Sequence, residues 1–263
     1  MAEFKLQNPT DSFNNHNLVK KIFFFIYGLI CYVIFFATFL YAIGFVGNFL
    51  VPKSMDTGGT TSFTKALLTD ALLLVVFAVQ HSGMARQGFK NAWTKIIPKP
   101  IERSTYVLCT SLALIFLFWQ WEPLGIKLWD LSETVAQPIL WCLCGLGWLI
   151  VLLSTFMINH FELFGLQQVY LNLVGKEQKK IEFKIVGPYK YVRHPIYLGF
   201  LIAFCSTPVM TLAHLLFCGG IFVYILVGIF LEEKDLIALY GNQYREYKEK
   251  VSMLIPNLFK KYQ

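Results

Sequence analysis

Six apolar runs, most near the ~20 residues that a helix needs to cross a bilayer, decide what this chain can fold into. They cover residues 22–46, 65–83, 104–121, 138–158, 195–211 and 212–231. No water-soluble core could absorb them from 263 residues, 56% hydrophobic and 17% aromatic. The expectation is an all-α, polytopic bundle of about six spans forming one integral membrane domain over 1–263. The last two runs are interrupted only by Thr207-Pro208. With about 17 residues just long enough to cross, 195–211 should form a tight hairpin with 212–231.

Charge orients the bundle. Twenty of the 23 Lys and Arg residues fall before the first run, in 84–103, in 159–194 or in the tail, which leaves only Lys53, Lys65 and Lys127 for the other side. The positive-inside rule then places both termini in the cytoplasm, as an even number of spans requires. Anionic lipid at that face explains the net charge of +7 without a nucleic-acid partner. The six cysteines all fall within runs and lack metal-type spacing, so they read as small apolar residues; neither disulfides nor a metal are expected. Residues 1–18, polar and Asn-rich, read as a flexible arm.

Polar side chains return in four places at the cytoplasmic ends of these runs. Gln80-His81-Ser82 closes the second run, and three hydrogen-bonding side chains there need partners or water. Asn159-His160-Phe161-Glu162 follows the fourth. Glu232-Glu233 follows the sixth, where paired carboxylates either face water or receive hydroxyls and cations in a site. The densest stretch is Gly187-Pro188-Tyr189-Lys190-Tyr191-Val192-Arg193-His194-Pro195-Ile196-Tyr197-Leu198-Gly199. Pro195 holds His194 extended and can open a helix, because its missing N–H costs nothing at that position. A helix start beside Arg193 and His194 is suited to an anion; the plainer alternative is a basic turn at the membrane edge. Asp70 and His214 lie toward the outer end, and Gly145-Leu146-Gly147 reads as a helix-packing notch.

The pattern Gly-Pro-Tyr-x-x-x-Arg-His-Pro-x-Tyr-x-Gly, an apolar hairpin, Glu-Glu, then Tyr240-Gly241-x-x-Tyr244-x-x-Tyr247 and Leu254-Ile255-Pro256 resembles the isoprenylcysteine carboxyl methyltransferase-like membrane methyltransferases. Gln80–Arg86 and His160–Leu166 are similar to the branch that holds methanethiol S-methyltransferases and the NnrU-like and nurim-like proteins. The resemblance implies S-adenosylmethionine bound without a Rossmann domain in a core over 187–256, following four N-terminal spans in 22–158. Arg193, His194, Pro195, Tyr197, Leu198, Gly199, Glu232 and Glu233 would line its pocket. It further implies methylation of a small volatile thiol, methanethiol to dimethyl sulfide, at the cytoplasmic face of a bacterial inner membrane. Gln80 and Ser82 would contact the substrate. The thiolate, not the thiol, is the nucleophile, so His81 or His160 is the expected base. The rivals are a methyltransferase of this fold acting on a prenyl-cysteine carboxylate or a phospholipid amine, and a transporter or membrane scaffold. Transporters place polar groups at the midplane, whereas these clusters lie at one face.

Overall fold

The computed structural model describes residues 9–59, 61–178 and 183–256, with the side chains of 9–16 left out. It is an all-α membrane bundle. Helices α1 (Pro9–Gly47), α2 (Phe63–Ala85), α3 (Gln87–Trp93) and α4 (Lys99–Gln120) are followed by strand β1 (Lys127–Asp130). Then come α5 (Ala136–Ile158), α6 (His160–Leu163), α7 (Leu166–Leu173), a 3₁₀ turn at Gly187–Lys190, α8 (Pro195–Cys205), β2 (Val209–Thr211), α9 (Leu212–Tyr240) and α10 (Asn242–Lys250). Five of these helices, α1, α2, α4, α5 and α9, are long and apolar enough to span a membrane. Helix α1 reaches back to Pro9, so residues 9–18, expected as a flexible arm, are helical; proline fits a first helical position. Residues 1–8 lie outside the described residues.

The fifth expected run differs. Only Pro195–Cys205 is helical, and eleven residues rise ~16 Å, about half a hydrocarbon core. The rest of the run is extended and ends in β2, which pairs antiparallel with β1 through Trp129↔Met210 and Asp130↔Val209. The chain still travels from one end of the bundle to the other. Irregular backbone at this depth is tolerable only where protein satisfies its polar groups, and here it does. His214 Nε2 donates to the Phe204 carbonyl at 2.7 Å, Cys218 Sγ reaches the same oxygen at 3.0 Å, and Trp129 Nε1 donates to Thr207 O at 3.3 Å.

Helix α8 is pinned along α5 by a glycine pair. A Cβ on Gly147 would stand 2.4 Å from Ala203 N and 2.7 Å from Gly199 O, and one on Gly199 would meet Gly147 O at 2.8 Å. This is the notch that the Gly145-Leu146-Gly147 stretch predicts, made by its second glycine. Around it Trp148, Ala203, Phe204, Phe217 and Ile221 belong to the main apolar core. At the β1–β2 end, Asp70 is fully buried and accepts the Glu122 amide at 2.9 Å. Trp121, just past the end of α4, is fully buried in the core, whereas Trp119 stays exposed.

Candidate active site

The Gly187–Gly199 stretch is held at the end opposite the β1–β2 ladder. Gly187 adopts φ +51° over Met157, and Tyr247 of α10 donates its hydroxyl to Tyr189 O at 2.6 Å. Burial pushes the Tyr189 and Tyr247 hydroxyls well above the ordinary phenol value, so both stay protonated. Residues after α10 run beside the stretch: Arg193 N donates to Ser252 O at 2.8 Å and His194 N to Met253 O at 3.2 Å. The tail is therefore part of the site's wall. Helix α9 ends at Gly241, whose φ of +60° turns the chain back.

Arg193 is almost fully buried. Its Nε meets Glu233 Oε1 at 2.7 Å, and Nη1 donates to Lys248 O at 3.0 Å and to Val251 O. Glu233 also receives Lys248 Nζ at 2.7 Å and His194 Nε2 at 3.2 Å. A buried carboxylate with three cationic or polar partners is satisfied in place. Glu232 is arranged differently. Its side chain is 42% exposed, accepts the Tyr197 hydroxyl at 2.8 Å, and lies 3.8 Å from His194 Nδ1. The His194 and Tyr197 rings stack at 5.5 Å. Adjacent glutamates thus divide into a structural ion pair and an available carboxylate. Pro195 is buried at the first turn of α8, Leu198 packs on the main core, and Gly199 faces α5.

His81 and Ser82 join the same constellation from α2. Ser82 Oγ donates to the Tyr224 hydroxyl at 3.3 Å, and His81 Nδ1 lies 3.1 Å from Thr110 Oγ1. The Tyr106 hydroxyl is 3.0 Å from His81 Nδ1 and 3.1 Å from Nε2. His81 also stacks on Phe77 at 5.5 Å and meets Tyr224 edge-on. Gln80 Nε2 points to Met84 Sδ, while its Oε1 is buried with no partner among the described residues. Helix α9 joins the two halves: its Tyr224 meets Ser82 and His81, and about two turns further on its Glu232 meets Tyr197. Arg86 closes the rim: its Nη1 meets Asp235 Oδ2 at 3.0 Å.

His160 stands apart. Tyr32 of α1 binds its Nε2 at 2.8 Å, Thr155 Oγ1 lies 2.9 Å from Nδ1, and Phe156 stacks on the ring at 4.2 Å. Burial lowers its proton affinity below that of an ordinary histidine. Nearby, Asn159 donates to Glu162 and Gln167 and so ties α6 to the start of α7. Sequence reasoning missed Tyr106 and Tyr224. The available signal was that each is a tyrosine inside an apolar run, where a buried hydroxyl needs a partner; only the fold names that partner. Among the described residues, no group of three or more His, Cys, Asp or Glu could hold a metal ion.

A membrane-integral helical bundle with ionisable and phenolic groups gathered at one end defines the class: a membrane-embedded enzyme. The chain belongs to the NnrU protein family, whose sequence model matches residues 71–258, and it is a methyltransferase. It is 51% identical to a methanethiol S-methyltransferase of Crocosphaera subtropica over 94% of this chain and 97% of that one. Identity to the methanethiol S-methyltransferase of Mycobacterium tuberculosis is also 51%, over 90% of this chain and 98% of the relative. Mouse nurim is 30% identical over 66% of this chain and 70% of its own length. No solved structure matches the chain.

Proposed function

We propose that this protein methylates methanethiol to dimethyl sulfide, with S-adenosylmethionine as donor, at the cytoplasmic face of a bacterial inner membrane. The observation that carries this reading is that two polar clusters share one end of the bundle: Glu232 with Tyr197 and His194, and Ser82 with Tyr224 beside His81, α9 supplying both Tyr224 and Glu232. Near-full-length relatives named for that reaction support the substrate. The positive-inside bias supports the orientation.

The residues suit the donor. Glu232, half exposed with one oxygen on Tyr197, can accept ribose hydroxyls; the first turn of α8 beside His194 can hold a carboxylate. Arg193, spent on Glu233 and two carbonyls, acts through Glu233 as a positioning residue. When bound, the cofactor supplies a methyl group on a positively charged sulfur. Charge cancels as a thiolate takes that methyl, so an apolar, water-poor pocket favours the step. A thiol with a pKa near that of free cysteine, ~8.5, is mostly protonated at neutral pH, and His81 is the base in this reading. His160, with both nitrogens bonded in an aromatic cluster, holds α6 against α1. Gln80, whose buried carbonyl oxygen has no partner among the described residues, would contact the substrate in this reading.

The test is binding of S-adenosylmethionine to detergent-purified protein, with His194→Ala alongside, followed by headspace analysis for dimethyl sulfide after methanethiol is added. Binding by the wild type, weakened in the folded variant, with dimethyl sulfide formed, is the expected result. Folded wild type that binds no cofactor ends the reading, and a lipid product in place of dimethyl sulfide reassigns the substrate.

A further inference from the structure

A cavity of about 410 Å³ opens at the β1–β2 end, opposite the candidate active site. Its walls come from the end of α1 and the loop after it, the link from α4 to β1, the start of α5 and the extended chain that enters β2. That volume falls in the range of small-molecule sites. The lining carries two charged residues, Asp56 and Lys127, and they are not equivalent. Lys127 Nζ is matched by Asp130 Oδ2 at 2.8 Å on its own strand. Asp56 is held by neutral donors instead: Asn48 Nδ2 lies 2.7 Å from Oδ2, and the Thr211 hydroxyl donates to Oδ1. Asn48 Oδ1 also accepts the Asp56 amide at 3.1 Å, from a left-handed backbone at φ +57°. These bonds fix the carboxylate in place without cancelling its charge. Asn48, Asp56 and Thr211 all line the cavity, together with Gln137 and Trp141.

The neighbouring chain is apolar. Asn48 leads directly into exposed Phe49 and Leu50, and Leu50 is 95% exposed on a left-handed backbone of its own. That conformation is costly for a bulky residue, and here it displays an apolar side chain. Lys127 is followed by exposed Leu128 and Trp129, and Trp141 meets the Phe49 ring edge-on at 5.9 Å. Tryptophan and apolar side chains interleaved with polar ones at one end of a membrane bundle suit the membrane–water interface.

We infer that this cavity binds the headgroup of a phosphatidylethanolamine-type lipid, with its primary ammonium on Asp56, its phosphate at Lys127, and its acyl chains in the bilayer beside Phe49, Leu50 and Trp129. The inference does not rest on the thiol-methylating function proposed above, because the cavity lies at the other end of the bundle. A primary ammonium brings three N–H donors and the positive charge that Asp56 lacks. Gln137 offers a further acceptor, and an indole such as Trp141 takes a cation on its face. Lys127 spends one N–H on Asp130 and has two left for phosphate. A metal ion suits the cavity less: Asp56 is the one carboxylate in the lining, and among the described residues no group of three or more His, Cys, Asp or Glu could hold one.

The test uses the full chain, delipidated in detergent, with palmitoyl-oleoyl phosphatidylethanolamine as the probe. Native mass spectrometry should show one retained lipid, and the melting temperature should rise as lipid is added. Palmitoyl-oleoyl phosphatidylcholine has the same chains and phosphate but no N–H on its nitrogen, and should bind about tenfold more weakly. Soluble glycerophosphoethanolamine, without chains to bury, should bind more weakly again. Asp56→Asn removes the charge and should erase the preference between the two lipids. Lys127→Gln, at an exposed residue, should weaken both lipids about threefold, with S-adenosylmethionine binding unchanged. Wild type that binds the two lipids equally, or neither, overturns the site, and this comparison decides even where Asp56→Asn does not fold. A folded Asp56→Asn that keeps the wild-type preference overturns it as well. Glycerophosphoethanolamine binding as tightly as the lipid overturns the lipid as occupant.

Discussion

The two ends of this bundle use their polar side chains differently. At the β1–β2 end, beside side-chain pairs such as Lys127–Asp130 and Thr211–Asp56, three side chains cap backbone groups: Asp70 the Glu122 amide, His214 the Phe204 carbonyl, Trp129 the Thr207 carbonyl. At the other end they bond mainly to one another: Tyr197 to Glu232, Tyr106 to His81, Ser82 to Tyr224. A side chain spent on backbone repairs the fold where a helix stops short. One that faces another titratable group has its charge and proton adjustable, and that is what chemistry needs. Histidine shows both uses in one chain, in His214 and His81.

The largest effect should come from a contact that ties both ends together. Gly147 and Gly199 let α5 and α8 approach backbone to backbone, and α8 runs from the site toward the ladder. Gly147→Leu would drive a side chain into Ala203 N, which cannot move aside. The expected cost is about 3 kcal/mol or more, read as a collapse of thermal stability in detergent together with loss of cofactor binding. A stable variant that lost only cofactor binding would show the two ends to be independent.

Next in size is Glu232→Ala, which separates the ends. Removing a carboxylate that receives hydroxyls costs about 2 kcal/mol of binding, roughly thirtyfold. Because Glu232 is 42% exposed, the melting temperature of the apoprotein should hardly change. Glu233→Ala is the counterpart: it strips Arg193, His194 and Lys248 of their shared partner, so stability and binding should fall together.

Much of this division could be read in the sequence, and the unread part has a physical cause. The Gly187–Gly199 stretch, Glu232-Glu233 and His81 announce themselves because polar groups at membrane depth are costly. The glycine notch was legible because a small residue in an apolar run has few other uses. What distinguishes Glu232 from Glu233, or His81 from His160, is the neighbour each meets, and those neighbours are far along the chain: Arg193 and Lys248, Tyr106, Tyr32. The shortened α8 was half legible, since Thr207-Pro208 marks the break. Strands of four and three residues lie below any periodic signal, so the ladder that completes the crossing was not.

His214→Leu tests the ladder end alone. The Phe204 carbonyl would keep only the weaker Cys218 thiol as a partner, and a buried carbonyl so deprived costs about 1–3 kcal/mol. The variant should melt earlier yet, where folded, retain the wild-type KM for both substrates. A changed KM with unchanged melting would mean that the ladder end reaches the site.

The smallest effect sharpens the comparison between histidines. His160 is 4% exposed, and burial lowers its pKa below the ordinary ~6.5. The unfolded chain therefore binds a proton there more readily than the folded one, and stability must rise with pH across that interval. Its contribution is fully present above pH ~6.5 and is lost progressively as pH falls from there toward the lower folded pKa. Melting curves of wild type between neutral and mildly acidic pH should shift downward on acidification. His160→Gln should show a lower melting point at neutral pH, because Gln cannot bridge Tyr32 and Thr155 in the same way, but a shallower pH slope. The pH dependence of kcat/KM should stay that of wild type, because the proposed proton path runs through His81. If His160→Gln instead moves the kinetic profile and leaves the melting slope alone, His160 belongs with the chemistry and the division between the two histidines is drawn in the wrong place.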